Sequence, residues 1–270
     1  MRVATWNILH GMSLQEPDAN NSLAEQASLI HADIIGLQEV DHNQQRTGHQ
    51  HQVRDVASAM GLPYWYFAPA IVGTPGESWI DAGDEHTSSH SHSESADSEN
   101  SASFYGVGLA SRWPMSNIRV VRFTAAPISL PLLIPSMPRP RFIKVADEPR
   151  VAIVADITAP SGTVTVATTH LSFVPGYNVK QLRQLAKQMP ETRSLILGDF
   201  NLPGNLPTRI TRWDSLAKVA TYPTFGPKVQ FDHILARGFS DESVKFARAS
   251  SSSQALAISD HCALSTELVD

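Results

Sequence analysis

Short hydrophobic runs, each about as long as a β-strand, recur along most of the chain. Runs of this length bounded by polar or turn-forming residues indicate strands, and runs without alternation indicate strands buried on both faces. The pattern predicts strands at residues 3–6, 34–38, 106–110, 151–157, 164–168, 194–197, 233–235 and 262–267.

Three other stretches, 22–31, 53–60 and 179–189, show the helical spacing of apolar residues. At the start of the first, Ser22 followed three residues later by Glu25 has the sequence signature of a capping box. Many strands with few helices favour two packed sheets with helices outside over a simple alternating parallel sheet.

Residues 81–103 are rich in Ser, acidic residues and His, and they contain almost nothing to bury. Such a segment cannot offset the entropy of ordering, so we predict a mobile surface insertion within a single domain that spans residues 1–270. Its histidines, His86, His90 and His92, could bind a metal ion, but a solvated low-complexity loop is the simpler interpretation. The insertion could also act as a lid over a site.

Residues 127–140 combine five prolines with aliphatic side chains. Proline fixes one backbone angle and lacks an N–H, which excludes a regular helix or a central strand here. The segment is predicted to be a connection packed on the body of the domain, with an apolar lip beside a site as the alternative.

Composition narrows the classes of function. With 270 residues, 42% of them hydrophobic, the chain can bury one sizeable core. The net charge of −5 gives no overall basic field, so nucleic acid is a possible but not a favoured partner. The single cysteine, Cys262, excludes an internal disulfide. We see neither the apolar segment of a signal peptide nor a membrane-spanning run, and therefore expect a cytoplasmic protein.

Polar side chains occur repeatedly where a hydrophobic run meets a loop. A lone Asp or Asn at such a place is usually a turn cap, because its side chain bonds its own backbone. Repetition in six segments favours a shared site, and carboxylates, amides and imidazoles without thiolates suit Mg²⁺ or Mn²⁺. The residues are Asn7, Glu39, His170, Asp199, Asn201, Asp232, Asp260 and His261.

Seven motifs follow one another between Thr5 and Leu264: TWNILHG, GLQEVD, YGVGLASRWP, TTHLS, LILGDFN, FDHIL and SDHCAL. Each motif alone is weak, but the ordered set resembles the endonuclease/exonuclease/phosphatase superfamily. The resemblance implies an α/β fold, a four-layer α/β/β/α sandwich of two packed, mostly antiparallel sheets with outer helices. It also implies metal-dependent hydrolysis of a phosphate ester at one edge of the sheets.

The resemblance assigns roles to residues at the metal and at the base. Glu39 is implied to be the principal metal ligand, with Asn7 beside it. Asp260 is implied to reach the same ion or a second one. His261 is implied to be the general base or the proton relay to water, held in its tautomer by Asp232.

The remaining roles concern the phosphate. Asp199 and Asn201 alternate onto one side if the strand continues, and the resemblance implies that they position water and phosphoryl oxygens. His170 is implied to donate to a phosphate oxygen. Asn7, Asn201 and His170 can contact an anionic substrate without adding negative charge. Arg150 could hold a site loop or the phosphate, and the sequence leaves both open.

Two positions depart from the abasic-site endonucleases of the superfamily, which carry an acid in place of Leu9 and a tyrosine in place of His170. We therefore expect hydrolysis of a small or lipid-like phosphate ester, phosphodiesters before monoesters. One alternative is a nuclease acting on DNA or RNA. Another is a non-catalytic binding module, which the intact set of Glu39, Asp199, Asp232 and His261 argues against.

Overall fold

The computed structural model describes residues 1–13, 22–89, 102–134 and 141–269. Within these ranges the chain forms sixteen strands and five α-helices. The strands are β1 Arg2–Asn7, β2 Ile34–His42, β3 Tyr64–Gly73, β4 Trp79–Asp81, β5 Ser88–Ser89, β6 Phe104–Ser111, β7 Met115–Phe123, β8 Ser129–Ile134, β9 Arg141–Ala146, β10 Arg150–Ala159, β11 Gly162–His170, β12 Ser194–Asp199, β13 Asp214–Ser215, β14 Asp232–Arg237, β15 Ser252–Gln254 and β16 Ala263–Glu267. The helices are α1 Leu23–Ser28, α2 Gln52–Ala59, α3 Tyr177–Gln188, α4 Leu206–Thr211 and α5 Asp241–Ser250, and short 3₁₀ segments lie at Leu9–Gly11, Gln45–Thr47 and Asp84–His86.

The strands form two large sheets and a separate two-stranded ribbon. The first sheet has the order β15-β16-β1-β2-β6-β3-β4, with β5 added beside β3. The second has the order β13-β14-β12-β11-β10-β7, and β8 pairs with β9 in the ribbon. In the first sheet β1 and β2 run parallel, in the second β11 and β12 do, and the other pairs described are antiparallel.

The two large sheets pack face to face, and helices cover their outer faces. Buried aliphatic side chains such as Val3, Leu109 and Ile153 fill the space between the sheets. A second apolar group joins the first sheet to α1 and α2, and a third joins the second sheet to α3 and α4. Each sheet buries both faces in this way, which confirms the predicted α/β/β/α sandwich.

The two parallel pairs determine where a site can form. Parallel strands end at the same edge of their sheet, and an antiparallel neighbour begins there. Accordingly β1 ends at Asn7, β11 at His170 and β12 at Asp199, while β14 begins at Asp232, directly opposite Asp199. The edge of the sandwich thus collects the polar ends of several strands.

The hydrophobic pattern predicted most of the long elements correctly. Each predicted strand coincides with an observed one, and the three helices begin within two residues of their predicted starts. The capping box of α1 is confirmed by bonds in both directions between Ser22 and Glu25. The pattern missed β3, because Pro69 argues against a strand. The strand accommodates this proline at a register shift, where the ladder with β6 is interrupted. The pattern also missed β7, α4 and α5.

The first part of the predicted insertion is packed on the first sheet. Ser88 and Ser89 are buried and pair with β3, and Ser88 Oγ lies 2.9 Å from Nε2 of the buried His51. The expectation of a segment with almost nothing to bury is therefore wrong for Ala82, Ser88 and Ser89, whereas Asp81, Asp84 and Glu85 are exposed. Short polar side chains are readily buried when they find hydrogen-bond partners. Residues 90–101, with His90 and His92, lie outside the described residues.

The proline-rich segment contributes one strand of the ribbon. Its residues 129–134 pair with 141–146 in antiparallel register. The ribbon is a two-stranded sheet of its own, so the prediction that this segment enters no central strand is confirmed for its described part. None of the described helices has the length and hydrophobicity needed to cross a membrane.

Candidate active site

Asp199 lies at the centre of the polar edge of the sandwich. Its side chain is almost completely buried, and its Oδ2 accepts a hydrogen bond from Asn7 Nδ2 at 3.1 Å. The same Oδ2 lies 3.6 Å from Nε2 of His170 and 3.7 Å from Nε2 of His261. One carboxylate oxygen therefore brings together an amide and two imidazoles.

The backbone before Asp199 is shaped by Gly198. This residue has φ 146°, and a Cβ at its position would collide with the carbonyl oxygen of Thr169 on the neighbouring strand. Glycine is the residue that adopts such a conformation without a steric cost. The glycine in LILGDFN therefore lets β12 run close to β11 and deliver Asp199 beside His170.

Asn201 is placed by a turn and not by strand alternation. Because β12 ends at Asp199, the expectation that both side chains follow one strand face is wrong in its reason. Asn201 has φ 51°, its backbone N donates to Asp199 Oδ1 at 2.9 Å, and its Nδ2 donates to Leu171 O at 3.0 Å. The turn cap and the site are thus the same structure, because the cap turns the Asn201 side chain toward His170.

Glu39 lies within β2, although the sequence suggested a strand end. The pairing of β2 with β6 shifts register between Leu37 and Val40, which is a β-bulge, and Glu39 has φ 57°. A left-handed conformation at a residue other than glycine is strained and persists where surrounding structure holds it. Here Glu39 Oε1 accepts from Asn7 Nδ2 at 3.0 Å, so a single amide links Glu39 to Asp199.

Asn7 contributes its amide nitrogen to these two carboxylates, and its Oδ1 accepts from the backbone N of Leu9 at 3.1 Å. Its orientation is therefore fixed from both ends. Ser259 Oγ also donates to Asn7 O at 2.6 Å, and Ser259 Oγ in turn accepts from His261 N at 3.0 Å. These bonds tie the end of β1 to the loop that carries His261.

His261 and Asp232 form a buried pair. His261 Nδ1 lies 2.8 Å from Asp232 Oδ2, and both side chains are almost fully shielded from solvent. Burial alone would lower the pKa of His261, but the negative charges of Asp232, Asp199 and Asp260 outweigh it and raise that pKa well above the ordinary value. The imidazole therefore favours its charged form while these carboxylates are ionised.

His170 sits in the opposite electrostatic setting. Its Nδ1 lies 3.2 Å from Nη1 of Arg150, whose guanidinium is also buried. Burial lowers the pKa of His170 well below its usual range, and the charges of Arg150 and His261 lower it further. His170 is accordingly a neutral imidazole.

The carboxyl groups of the site repel one another. Burial raises the pKa of Asp199 to about 6, and the charge of Asp232 adds to this effect. Burial likewise raises the pKa of Asp260 to about 6, with a further contribution from Glu39. The pKa of Glu39 is raised by burial and by Asp199. Several acids with raised pKa values at one edge indicate a place where positive charge would be stabilising.

Among the described residues, one group of three acid or imidazole side chains has ligand atoms all within 4.8 Å of one another, namely Asp199, Asp232 and His261. The predicted metal ligands were Glu39, Asn7 and Asp260, and the two acids among them are not members of this group. His261 Nδ1 is already bound to Asp232, so the group has the contacts of an acid–base unit. Of the four acids Glu39, Asp199, Asp232 and Asp260, Glu39 and Asp260 have no described ion pair or hydrogen bond with an imidazole.

All eight residues singled out in the sequence therefore lie at one edge of the sandwich, joined by direct contacts or, for Asp260, by its charge and its place next to His261. The structure adds residues that the sequence did not single out. Gln38, the residue before Glu39, donates from Nε2 to Thr168 Oγ1 across the two sheets at 3.1 Å. Tyr222 packs on His261, with ring centroids 4.9 Å apart. A glutamine in an otherwise apolar strand was the available signal for Gln38, whereas Tyr222 lies in a loop with no pattern.

Comparison with known proteins agrees with this architecture. A family model described as the endonuclease/exonuclease/phosphatase family matches residues 4–261. Among solved structures, an endonuclease/exonuclease/phosphatase from Beutenbergia cavernae is 18% identical, with 98% of this chain and 70% of that chain covered and a TM-score of 0.55. A mannosyl-6-phosphatase from Bacteroides thetaiotaomicron is 14% identical over 100% of both chains, with a TM-score of 0.56.

A third similar structure is beta toxin from Staphylococcus aureus with bound magnesium ions, 11% identical over 99% of both chains with a TM-score of 0.54. Identities this low show a common fold and do not carry a substrate. Among curated proteins, none matches this sequence.

Proposed function

This chain belongs to the endonuclease/exonuclease/phosphatase family, and from that premise we propose that it is a phosphoesterase that requires Mg²⁺ or Mn²⁺. The proposed reaction is attack of water on a phosphate ester, assisted by the His261–Asp232 pair. A phosphodiester of a small or lipid-like compound is the substrate that we favour.

The proposal rests on the groups that surround the Asp199 side chain. Its Oδ2 is shared by Asn7, which also binds Glu39, and lies within 4 Å of both site imidazoles. One carboxylate thus connects a group of acids suited to a cation, a histidine paired with an acid and a neutral histidine. Metal-assisted hydrolysis of a phosphate ester uses these three kinds of group together.

The acids of this edge fit a hard divalent cation. Glu39 and Asp260 offer carboxylate oxygens, and burial together with neighbouring acids raises the pKa of both, which a bound cation would reverse. We assign Glu39 and Asp260 as the ligands. Asn7 was predicted as a third ligand, but its Oδ1 accepts from Leu9 N and its Nδ2 donates to Glu39 and Asp199, so we assign it to holding Glu39 in place. A cation bound there supplies positive charge that screens the phosphate and stabilises the charge that develops on the leaving oxygen.

His261 acts on the water. Its Nδ1 is bound to Asp232, so Nε2 is the atom that takes a proton from the attacking water, and Asp232 stabilises the imidazolium that results. The charges of Asp232, Asp199 and Asp260 raise the pKa of His261, and a cation held by Asp260 would offset part of that effect. A cation would thereby favour the unprotonated imidazole that a base requires, which is a second reason to expect activity to depend on a cation.

His170 and Asn201 act on the phosphate. Both place a side-chain nitrogen beside Asp199, and neither adds negative charge to a site that must accept an anion. Asp199 accepts from the Asn201 backbone and from Asn7, so it holds the donors in position and lies beside both imidazoles. We assign Asp199 and Asn201 to orienting the water and the phosphoryl oxygens.

The small or lipid-like substrate is supported by the charge of the chain. A net charge of −5 disfavours a broad contact with a nucleic acid, which gains much of its affinity from Lys and Arg at phosphates. The abasic-site endonucleases of the superfamily carry an acid where this chain has Leu9 and a tyrosine where it has His170. Both differences favour a small or lipid-like substrate over DNA.

The decisive experiment measures hydrolysis of bis(p-nitrophenyl) phosphate by the full chain in excess chelator and after addition of Mg²⁺ or Mn²⁺. We expect no activity in chelator and recovery with either cation. Glu39→Gln should require more cation for the same rate, because the charge that binds the ion is lost. The matched control is Glu77→Gln, since Glu77 is an exposed glutamate in a turn. Full activity in chelator would refute the metal-dependent mechanism.

The same assay tests the substrate when it is extended to phosphomonoesters and to single- and double-stranded DNA. Rapid cleavage of DNA that falls steeply with salt, together with slow turnover of small diesters, would replace our proposal with the nuclease alternative.

A further inference from the structure

His170 is held at its Nδ1 by an arginine, and the contact determines where its proton lies. We infer that Arg150 is a positioning residue that fixes His170 in the neutral tautomer with the proton on Nε2, so that the imidazole presents a donor to the phosphate. This inference rests on the proposed function for its purpose, although the tautomer itself is a property of the chain that can be measured without substrate.

The chemistry of the guanidinium makes the assignment. Arg150 Nη1 lies 3.2 Å from His170 Nδ1, and a guanidinium nitrogen can donate a hydrogen bond but cannot accept one. Asn201 Nδ2 lies 3.3 Å from His170 Nε2 and is a donor as well, so the two contacts compete for the single lone pair of the neutral ring. A charged donor makes the stronger hydrogen bond, so the guanidinium takes the lone pair, which is that of Nδ1. The single proton of the neutral ring is then on Nε2, the atom that lies 3.6 Å from Asp199 Oδ2.

The guanidinium is itself held in place. Arg150 is the first residue of β10, is almost fully buried and lies 3.6 Å from Asp147 Oδ1. Asp147 Oδ2 accepts from the backbone N of Ala126 at 2.7 Å and from Ser172 Oγ at 2.8 Å, so it links two loops beside the site. The Phe173 ring lies 5.9 Å from the guanidinium carbon. Arg150 can therefore impose an orientation on His170.

The result is a pair of donors that point at the same place. Asn201 Nδ2 lies 3.3 Å from His170 Nε2, yet two N–H groups cannot bond each other. Asn201 Nδ2 keeps its bond to Leu171 O, and with the ring proton on Nε2 its second hydrogen is left for another acceptor. Two adjacent donors suit one phosphoryl oxygen. The other tautomer would present a lone pair to that oxygen and would repel it.

The test is the ¹⁵N NMR signature of His170 in the full-length, metal-free protein at neutral pH, with the signal assigned by its loss in His170→Gln. We expect an unprotonated Nδ1 and a protonated Nε2. In Arg150→Met the Nδ1 signal should move toward the protonated range, and in Arg150→Lys it should stay near wild type because an ammonium also donates. A wild-type ring with its proton on Nδ1 would overturn the inference, as would an unchanged ring in Arg150→Met.

The matched control is Ser172→Ala, which removes the bonds of Ser172 Oγ to Asp147 Oδ2 and Val174 N and so disturbs the same loops while leaving the contact between Asp147 and the guanidinium. We expect the His170 signal to be unchanged in this variant. A shift as large as that of Arg150→Met would show that loop structure, and not the guanidinium, sets the tautomer. If Arg150→Met does not fold, the wild-type signal still decides the matter, because an Nδ1 proton is incompatible with the contact to Arg150.

Kinetics separate this inference from the proposed function. Arg150→Met should lower kcat on a phosphodiester by about tenfold to a hundredfold, the usual cost of removing a partner that orients a functional histidine, with Arg150→Lys recovering part of the loss. If the NMR signature is as expected but neither the wild-type protein nor any variant hydrolyses a phosphate ester, the proposed function fails and the tautomer assignment stands. If the enzyme is active but Nδ1 carries the proton, the inference fails and the proposed function stands.

Discussion

Two histidines of one site have opposite proton chemistry. His261 and His170 are both buried, and the Nε2 atoms of both lie within 4 Å of the same oxygen of Asp199. His261 has a carboxylate, Asp232, at its Nδ1, and its pKa is raised well above the ordinary value. His170 has the guanidinium of Arg150 at its Nδ1, and its pKa is lowered well below it. The partner at Nδ1 therefore distinguishes the two rings.

The comparison shows whether burial or neighbouring charge determines the pKa of each ring. Burial lowers the pKa of both rings, because a charged imidazole is less stable away from water. For His170 the neighbouring positive charges act in the same direction. For His261 three acids act against burial and prevail. One ring is thereby equipped to hold a proton during a reaction cycle, and the other to donate a hydrogen bond while remaining neutral.

The largest effect is expected when the carboxylate partner of His261 is removed. Asp232→Asn keeps the size of the side chain but loses the charge that stabilises the imidazolium and selects its tautomer. We expect kcat on bis(p-nitrophenyl) phosphate with Mn²⁺ to fall by about 10³–10⁴-fold, as in other sites where an acid orients a histidine base.

A matched control for this variant is Asp214→Asn, at an exposed aspartate that pairs with Arg248 away from the site. The control should keep wild-type kcat. Retention of kcat within tenfold of wild type by Asp232→Asn would show that the two histidines do not differ as proposed.

A smaller effect is expected when the neutral histidine is removed. His170→Ala takes away one donor to the phosphate but leaves the base, so kcat should fall by about 10²–10³-fold, the range typical for loss of one such donor. The same assay measures it, and His31→Ala, at an exposed histidine, is the control. A loss equal to or larger than that of Asp232→Asn would contradict the division of roles between the two rings.

The smallest expected effect is on folding stability. Its measurement tests whether burial lowers the pKa of a histidine outside the active site as well. His51 is buried beneath Ser88, and burial lowers its pKa to about 3, with help from the charges of His42 and Arg54. The folded state then binds fewer protons than the unfolded chain, whose histidines titrate near 6.5. The contribution of His51 to the free energy of unfolding is thus fully present above about pH 6.5 and is lost as pH falls toward 3.

This sign can be checked by urea denaturation at pH 7 and pH 5. For a shift of this size, His51 should contribute a loss of about 2 kcal/mol over that interval. His51→Gln cannot titrate, so its unfolding free energy should change with pH by about that much less than that of the wild type. An identical pH dependence in the two proteins would mean that burial does not depress the pKa of His51.

The sequence by itself determined the layers of the fold and the membership of the site. Local spacing of apolar residues reveals strands and helices, because the geometry of each element repeats over a few residues. The same pattern shows which polar residues follow a buried run, and the order of seven motifs identified the family. For these reasons Asn7, Asp199 and His170 could be predicted as neighbours before any contact was known.

Only the tertiary structure decided how these residues act. The bulge that carries Glu39 adds one residue to a strand and leaves no trace in the hydrophobic pattern, and Asn201 is turned into the site by a cap just beyond its strand. The partner of His170 lies 20 residues earlier in the chain, on the neighbouring antiparallel strand. Strand register and the packing of two sheets place a guanidinium or a carboxylate at an imidazole nitrogen. Because a pKa depends on charges a few ångströms away in space, the sequence could name both histidines but could not assign their protons.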